Sequence, residues 1–254
     1  MGKVVSLYRG RDPRELLMYG IGDAAVYLGV PRSTLATWVR GQRVRGRTRM
    51  HGLIKPDRAT GLLTFNNLMK AYVLASLTRR FDLPLQRVRS ALRFVGGDRP
   101  LLATLFRTDG RGIFIEQMGK LVDAAHGGQA AIREVVESSL ERVEFDDRRL
   151  PLRLYPWRRE PTEPRIIALD PRRSFGKPTV VGSAVQSETI IDRHRAGESV
   201  AQLAADYNLP GEVIEGVLRW GLDARRPPEP RVTIWTRTSM VQSSSGGCAM
   251  RACD

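Results

Sequence analysis

Residues 19–40 read YGIGDAAVYLGVPRSTLATWVR, and the spacing of their apolar side chains decides the fold of the first part of the chain. Ile21, Ala24, Ala25 and Leu28 recur at the three-and-four spacing of one helix face, and Gly29 is placed to end that helix. Pro31 suits the first turn of a second helix, whose buried stripe is Leu35, Trp38 and Val39. At about 100° per residue, the face opposite that stripe carries Ser33, Thr37 and Arg40, a hydroxyl pair and a cation. Two short helices joined by a tight turn, with small Ala25 four residues before Gly29, form a helix-turn-helix pattern. The alternative is an ordinary helical hairpin with a solvated outer face.

Charge separates the two readings. Residues 1–100 hold 19 Lys+Arg against 6 Asp+Glu, whereas residues 101–254 hold 22 against 21, so nearly all of the net +14 accompanies the candidate recognition helix. Such a surface suits phosphate, because each cation that meets a phosphate releases condensed counterions. A chain of 254 residues with 42% hydrophobic content is long enough for two domains. No apolar run reaches the ~18 residues of a membrane span, and MGKVVSLYRGRDPREL lacks a signal-peptide hydrophobic region, so the expected location is the cytoplasm with no membrane partner. Cys248 and Cys253 lie near the end of the sequence, and His51, His126 and His194 are isolated. That excludes a disulfide framework and a four-ligand zinc site, and no metal or cofactor is expected. Nor does any Ser-His-Asp, Cys-His or phosphate-loop arrangement point to an enzyme.

Along the chain, residues 13–18 suit a short helix. In GQRVRGRTRMHG after the helix-turn-helix, Arg43, Arg45, Arg47 and Arg49 alternate with other residues, and an extended loop throws all four cations to one side. Beside a recognition helix this reads as DNA-backbone contact; the bland alternative is a solvated basic loop. LIKPDRATGLLTF then reads as a hairpin, hence a wing, with Lys55 and Arg58 near its tip. Asn66 or Asn67 can cap a following helix with Leu68, Met69, Tyr72, Ala75 and Leu77 in the core, and a further helix is expected over residues 83–95 before Gly96 and Gly97.

GIGDAAVYLGVPRSTLATWVRG followed by GLIKPDRATGLLTFNNLMKAYVL resembles the MerR-type winged helix, in which an aromatic residue ends the recognition helix and a Gly-Leu-x-x-Pro wing follows. The resemblance spans roughly residues 19–95. The chain departs from it in the arginine-rich insert and in lacking a long dimerisation helix afterwards. Residues 1–97 are therefore expected to be a winged DNA-binding domain, with Arg32, Ser33, Thr34, Thr37 and Arg40 reading DNA and Arg43, Arg45, Arg47, Arg49, Lys55 and Arg58 on the backbone.

Residues 98–164 read as an α+β connecting or dimerisation region. FRTDGRGIFIE and KLVDAAHGG suggest short strands, residues 129–143 a helix with Ile132, Val135, Val136, Leu140 and Val143 inward, and LPLRLYPW and PRIIALDP two more strands. Glu137, Glu141, Glu144, Asp146 and Asp147 cluster without histidines and read as a solvated face rather than a metal or acid-base site.

A second pair of helices lies near the C-terminal end. Ile190 and Ile191 sit in one helix stopped by Gly197; Ser199 can cap the next, with Val200, Leu203, Ala204 and Tyr207 buried. Asn208 suits a left-handed turn, and Pro210 restarts a helix with Ile214, Val217 and Leu218 inward. Shifted by 179 residues, this is an internal repeat: Ile21 aligns with Val200, Ala25 with Ala204, Gly29 with Asn208, Pro31 with Pro210, Leu35 with Ile214 and Val39 with Leu218. Where the first copy shows Ser33, Thr37 and Arg40, the second shows Glu212, Gly216 and Arg219, with Glu215 nearby. Carboxylates repel phosphate, so this face suits a protein partner or self-association.

Asp170, Pro171, Gly176, Pro178 and Gly182 form a D-P-x-x-x-x-G-x-P-x-x-x-G run before three helices, and over about residues 165–222 the chain resembles a small domain of formerly unknown function that recurs in bacterial antitoxins. Ser183-Ala184 departs mildly from that pattern. With the MerR-like head, the whole resembles a VapB-type antitoxin of a type II toxin-antitoxin pair. The resemblance implies a PIN-like ribonuclease toxin as partner and repression of the pair's own operon. Residues 224–254 read as a Pro-rich linker and tail. Glu212, Glu215, Arg219, Arg231, Trp235 and Arg237 are the candidate toxin contacts.

The expected architecture is thus α+β and mainly helical: a winged helix-turn-helix, then an α+β part ending at 165–223 in a second helix-turn-helix-like three-helix unit. One helix-turn-helix reads one half-site, so a homodimer on an inverted repeat of spacing ~34 Å is expected. The alternative function is a stand-alone MerR-like transcriptional regulator with a small-molecule-sensing C-terminal part.

Overall fold

The computed structural model describes residues 8, 10–41, 52–81, 128–148 and 150–225. Its helices are α1 (Ile21–Leu28), α2 (Arg32–Arg40), α3 (Phe65–Phe81), α4 (Gly128–Glu141), α5 (Ser187–Arg195), α6 (Val200–Tyr207) and α7 (Gly211–Arg225). Four short strands, β1 (Val143–Phe145), β2 (Pro151–Leu154), β3 (Ile167–Leu169) and β4 (Pro178–Val180), form an antiparallel meander in the order β1-β2-β3-β4. The architecture is α+β. Among the described residues no helix is long and apolar enough to cross a membrane.

The stripes read for α1 and α2 are buried except for Ile21, which is half-buried, and of the stripe expected in α6 only Leu203 is buried, with Val200, Ala204 and Tyr207 half-buried. Ala24, Ala25 and Leu28 of α1 pack with Leu35, Trp38 and Val39 of α2, and Gly29 closes α1 in the left-handed region at φ 61°, its N–H bonded to Ala25 and Val26 carbonyls. This core continues through Leu68, Met69 and Tyr72 of α3 into Val136 and Leu140 of α4 and on to Leu154 and Trp157. Trp157 Nε1 donates to the Tyr72 hydroxyl at 3.1 Å, and that hydroxyl donates to the Ser139 carbonyl at 3.1 Å, so the polar tips of both buried aromatics are satisfied. A second core joins Ile167 and Val180 of the sheet to Ile190, Leu203, Ile214 and Val217 of α5, α6 and α7.

Several local readings change. The helix expected to run to Val143 stops at Glu141, because Arg142 turns inward and Val143 pairs with Leu154 as a strand. Arg142 is 3% exposed; its guanidinium donates to the carbonyls of Tyr155 (3.0 Å), Glu163 (2.6 Å) and Pro156 (3.5 Å), clamping the segment between β2 and β3, and burial pulls its pKa down. Pro178 of the D-P run is the first residue of β4, an edge position where a missing N–H is tolerated. Residues 13–18 give only a 3-10 turn at Pro13–Glu15, capped by Asp12. The cap of α3 is Thr64, whose Oγ1 accepts from Asn67 N–H at 3.2 Å, and neither Asn66 nor Asn67 serves as cap. The expected wing reverses direction without a strand ladder: Asp57 N–H bonds the Leu62 carbonyl, while Leu63 bridges to Tyr19 across the unit. The helix expected at 83–95 and the strand expected at 106–116 lie outside the described residues, as does all but Gly128 of the strand expected at 120–128.

Candidate nucleic-acid interface

On α2 the side chains of Arg32, Ser33 and Arg40 are exposed, and Thr34 and Thr37 are half-buried. All five lie off the stripe that Leu35, Trp38 and Val39 bury. Thr37 Oγ1 donates to the Ser33 carbonyl at 2.9 Å, which fixes its rotamer and leaves oxygen lone pairs outward. Among the described residues Arg32, Arg40, Lys55 and Arg58 have no ion-pair partner, so their charge is uncompensated.

The loop carrying Lys55 and Arg58 is rigidly built. Asp57 Oδ2 accepts from Ala59 N–H (3.0 Å), Thr60 N–H (2.8 Å) and Thr60 Oγ1 (2.9 Å), and Gly61 takes φ 71° to close the turn. The hydrogen bonds from Thr60, with a smaller share from Ala59, hold the Asp57 carboxyl below the usual range. Its charge is thus spent on the turn, and Lys55 and Arg58 stay exposed on either side.

Arg43, Arg45, Arg47 and Arg49 lie outside the described residues, but both ends of their segment are fixed at one place. The chain leaves α2 at Gly41 and comes back at Gly52, where Leu53 and Ile54 N–H groups donate to the Trp38 carbonyl at 2.7 and 3.0 Å. A Cβ at Gly52 would overlap the Val39 carbonyl oxygen, so only glycine lets the returning backbone lie against α2.

The second helix pair repeats the first bond for bond at the offset of 179. Ala24 N–H to the Gly20 carbonyl (3.0 Å) matches Leu203 to Ser199 (3.1 Å); Val30 to Ala25 (3.0 Å) matches Leu209 to Ala204 (3.0 Å); Leu35 to Pro31 (3.1 Å) matches Ile214 to Pro210 (3.2 Å). Asn208 (φ 50°, ψ 48°) stands where Gly29 (φ 61°, ψ 39°) stands. Surfaces differ more than the sequence suggested. Glu212, Glu215 and Arg219 are exposed, but Gly216, expected on the open face, is buried, and a Cβ there would overlap Ile166 Cδ1. Of the three positions of α7 equivalent to Ser33, Thr37 and Arg40 of α2, the middle one is packed against Ile166, just before β3, and the outer two stay exposed. Arg231, Trp235 and Arg237 lie outside the described residues.

Two polar groups escaped the sequence reading. Asp170 is 1% exposed and accepts from Arg172 N–H (2.9 Å), Arg172 Nε (3.0 Å) and Nη2 (2.8 Å), and Arg153 Nη2 (3.3 Å). Burial pulls its pKa up, yet the Arg172 hydrogen bonds and the charges of Arg172 and Arg153 outweigh it and hold the carboxyl below the usual range. Arg158 packs its guanidinium 4.2 Å from the Trp220 ring and donates to the Tyr27 carbonyl at 3.2 Å, joining α7 to α1. The D-P run named Asp170 without a buried role; nothing in one dimension flags Arg158. Of the acidic cluster, Asp146 pairs with Arg14 at 2.6 Å and Glu144 with Arg153 at 2.9 Å, so these two are structural rather than solvated. Among the described residues no three acidic, His or Cys side chains converge as a metal site.

Residues 17–92 match the family described as "Putative DNA-binding HTH domain", and residues 167–220 match "Protein of unknown function (DUF433)". The chain is 29% identical over 227 residues to "Putative antitoxin VapB45" of Mycobacterium tuberculosis, covering 80% of this chain and 93% of that protein. It is 28% identical over 226 residues to "Uncharacterized protein Rv2308" of the same organism, covering 81% and 89%. The crystal structure of Rv2018 from Mycobacterium tuberculosis superposes with a TM-score of 0.59 at 25% identity, covering 82% of this chain and 98% of that one.

Proposed function

We infer that this chain is a cytoplasmic antitoxin of the VapB type: it binds operator DNA through a MerR-like head, neutralises a cognate PIN-like ribonuclease toxin with its C-terminal part, and thereby represses its own operon. The observation that carries the reading is the asymmetry of the repeated helix-turn-helix. One copy keeps an open face with Arg32, Ser33 and Arg40 exposed, while at the equivalent positions the other exposes Glu212 and Arg219, beside Glu215, and has Gly216 packed on Ile166. A DNA reader needs the first surface, and the second is free for protein. Similarity to an antitoxin over most of both chains supports the assignment of the partner. On DNA, Arg32, Ser33, Thr34, Thr37 and Arg40 enter the major groove, while Lys55, Arg58, Arg43, Arg45, Arg47 and Arg49 lie on phosphates, in a homodimer on an inverted repeat. Glu212, Glu215 and Arg219, with Arg231, Trp235 and Arg237, are the contacts assigned to the toxin.

The test is co-purification of the full chain with the product of the neighbouring gene, with ribonuclease activity measured before and after mixing and operator binding measured at two salt concentrations. Expected are silencing of the nuclease, a salt-dependent operator affinity, and roughly tenfold weaker operator binding in Arg40→Ala, the size of one lost base contact. A second reading, a regulator that senses a small molecule, has one observation in its favour. A cleft of about 220 Å³ lies between Asp23 and Tyr27 of α1 and Pro178, Ile191 and Trp220. DNA binding without any effect on a neighbouring nuclease, together with a metabolite-induced rise in melting temperature, would replace the antitoxin reading with that one.

A further inference from the structure

The turn between β3 and β4 holds an aromatic side chain in a place where the backbone resists it. Ser174 (φ 46°), Phe175 (φ 52°, ψ 39°) and Gly176 (φ 73°) are three successive left-handed residues. For the glycine this conformation is free, but for the two L residues it is strained, because Cβ crowds the following carbonyl. Such strain persists only where the surroundings over-determine it.

They do so on both sides. Before the turn, the buried Asp170 carboxylate grips Arg172, and the Asp170 carbonyl takes the Arg173 N–H at 2.9 Å. After it, Gly176 is wedged against the head: a Cβ there would overlap the Tyr19 hydroxyl, and Tyr19 itself is 2% exposed. The Tyr8 hydroxyl donates to the Pro171 carbonyl at 3.2 Å and ties the start of the turn to the same unit. The net result is that Phe175 stands out with 67% of its surface exposed.

Its neighbours define what it fits. Arg172 is matched by Asp170 (2.8 Å), Arg153 by Glu144 (2.9 Å) and Asp170 (3.3 Å), and Lys177 faces Glu188 at 3.8 Å. Arg173 is exposed and has no ion-pair partner among the described residues. Together with Arg153 it lines a concavity of about 270 Å³ floored by Thr179 and the backbone around Gly182. A phosphate backbone asks for several unmatched cations, and here most are matched. A protein hot spot asks for one rigid apolar anchor beside an arginine, with the surrounding pairs already satisfied.

The geometry points to the Phe175 turn as the anchor for a protein partner that offers an apolar pocket for the ring and a carboxylate for Arg173 at the edge of the concavity. This rests on the antitoxin reading, in which that partner is the neighbouring nuclease, and it adds a contact to those assigned at Glu212, Glu215 and Arg219. Strain and function then separate in a single residue. Phe175→Gly removes the anchor and also the left-handed penalty, whereas Phe175→Asn removes the anchor but keeps a side chain that tolerates the conformation.

The experiment measures the affinity of the full chain for the purified product of the neighbouring gene, the melting temperature and operator affinity, for the wild type, Phe175→Gly, Phe175→Asn and Arg173→Ser. Expected are a loss of partner affinity of about tenfold or more in both Phe175 variants and a smaller loss in Arg173→Ser, with operator affinity unchanged. The melting temperature of Phe175→Gly should rise by about 2–4 °C. If the wild type binds that partner and both Phe175 variants bind it equally well, the inference falls and the antitoxin reading stands. If the variants instead lose operator affinity, the turn is a nucleic-acid contact and the inference falls. If the wild type neither binds nor silences the neighbouring product, both fall.

Discussion

The pair α1 and α2 and the pair α6 and α7 share one backbone and almost no surface. Both run eight residues, a left-handed turn and a restart after proline, with the same carbonyls taking the same amides 179 residues later. Few positions are needed to specify that backbone: a residue that accepts positive φ at the turn, a proline after it, and a three-and-four apolar stripe. Everything else is free to vary, and it has varied toward opposite ends. One copy leaves its second helix open with unpaired arginines; the other lays its second helix against Ile166 and leaves carboxylates outside. Shared backbone therefore identifies the motif, and only the uncovered side chains identify what the motif touches.

The largest expected effect asks whether the two copies are separate modules at all. Leu35 and Ile214 occupy the equivalent core position and are both 0% exposed, so Leu35→Ala and Ile214→Ala should each cost about 2–5 kcal/mol. Because α1 packs on α7, and Arg158 joins Trp220 to the Tyr27 carbonyl, both substitutions should lower one common melting transition. Two resolved transitions in calorimetry, each moved by only one of the substitutions, would show that the copies unfold independently.

A smaller effect contrasts the two faces. Valine at Gly216 meets Ile166 and should destabilise by about 1–3 kcal/mol, as overpacking does. Valine at the equivalent Thr37, half-buried on the open face, should change stability by no more than about 0.5 kcal/mol while weakening operator binding. Reversal of that pattern, a stable Gly216→Val or a strongly destabilised Thr37→Val, would mean that the faces have been assigned to the wrong copies.

Legibility follows the same line. The stripe of Leu35, Trp38 and Val39, the turn at Gly29 and the 179-residue repeat were readable because they depend on spacing within one helix. Strands β1 and β4 were not, since three residues carry no alternation and Val143 fits a helical stripe as well as a strand. The Thr64 cap was missed because two asparagines stand just after it and are equally good capping residues by type. Gly216 was put on the open face by helical geometry alone; what covers it comes from Ile166, 50 positions away, and is visible only in three dimensions. Of the candidate site, Arg32, Ser33, Arg40, Lys55 and Arg58 are exposed, which their place off the apolar stripes allows one to read, whereas Arg153, Asp170 and the strained Phe175 turn gain meaning only from tertiary contacts.

The finest contrast lies at the first residue of each copy. Ser199 caps α6 in both directions: its Oγ takes the Gln202 N–H at 3.3 Å, and Gln202 Oε1 takes the Ser199 N–H at 2.8 Å. Its counterpart Gly20 has no side chain with which to do this, although Asp23, in the position of Gln202, has an oxygen 3.1 Å from where a Cβ would stand. Ser199→Ala should therefore cost about 1 kcal/mol, and Gly20→Ser should gain a few tenths, because glycine is already a tolerable cap and serine improves on it. The sign of the second change is what thermal denaturation has to decide. A gain means that Asp23 swings aside to complete a reciprocal cap, making the two copies alike at their starts. A loss means that the crowding at 3.1 Å wins because Asp23 is held where it is, beside Tyr27 at the cleft facing Glu188 and Trp220. In that case the start of the DNA-reading unit is shaped by the C-terminal unit it leans on.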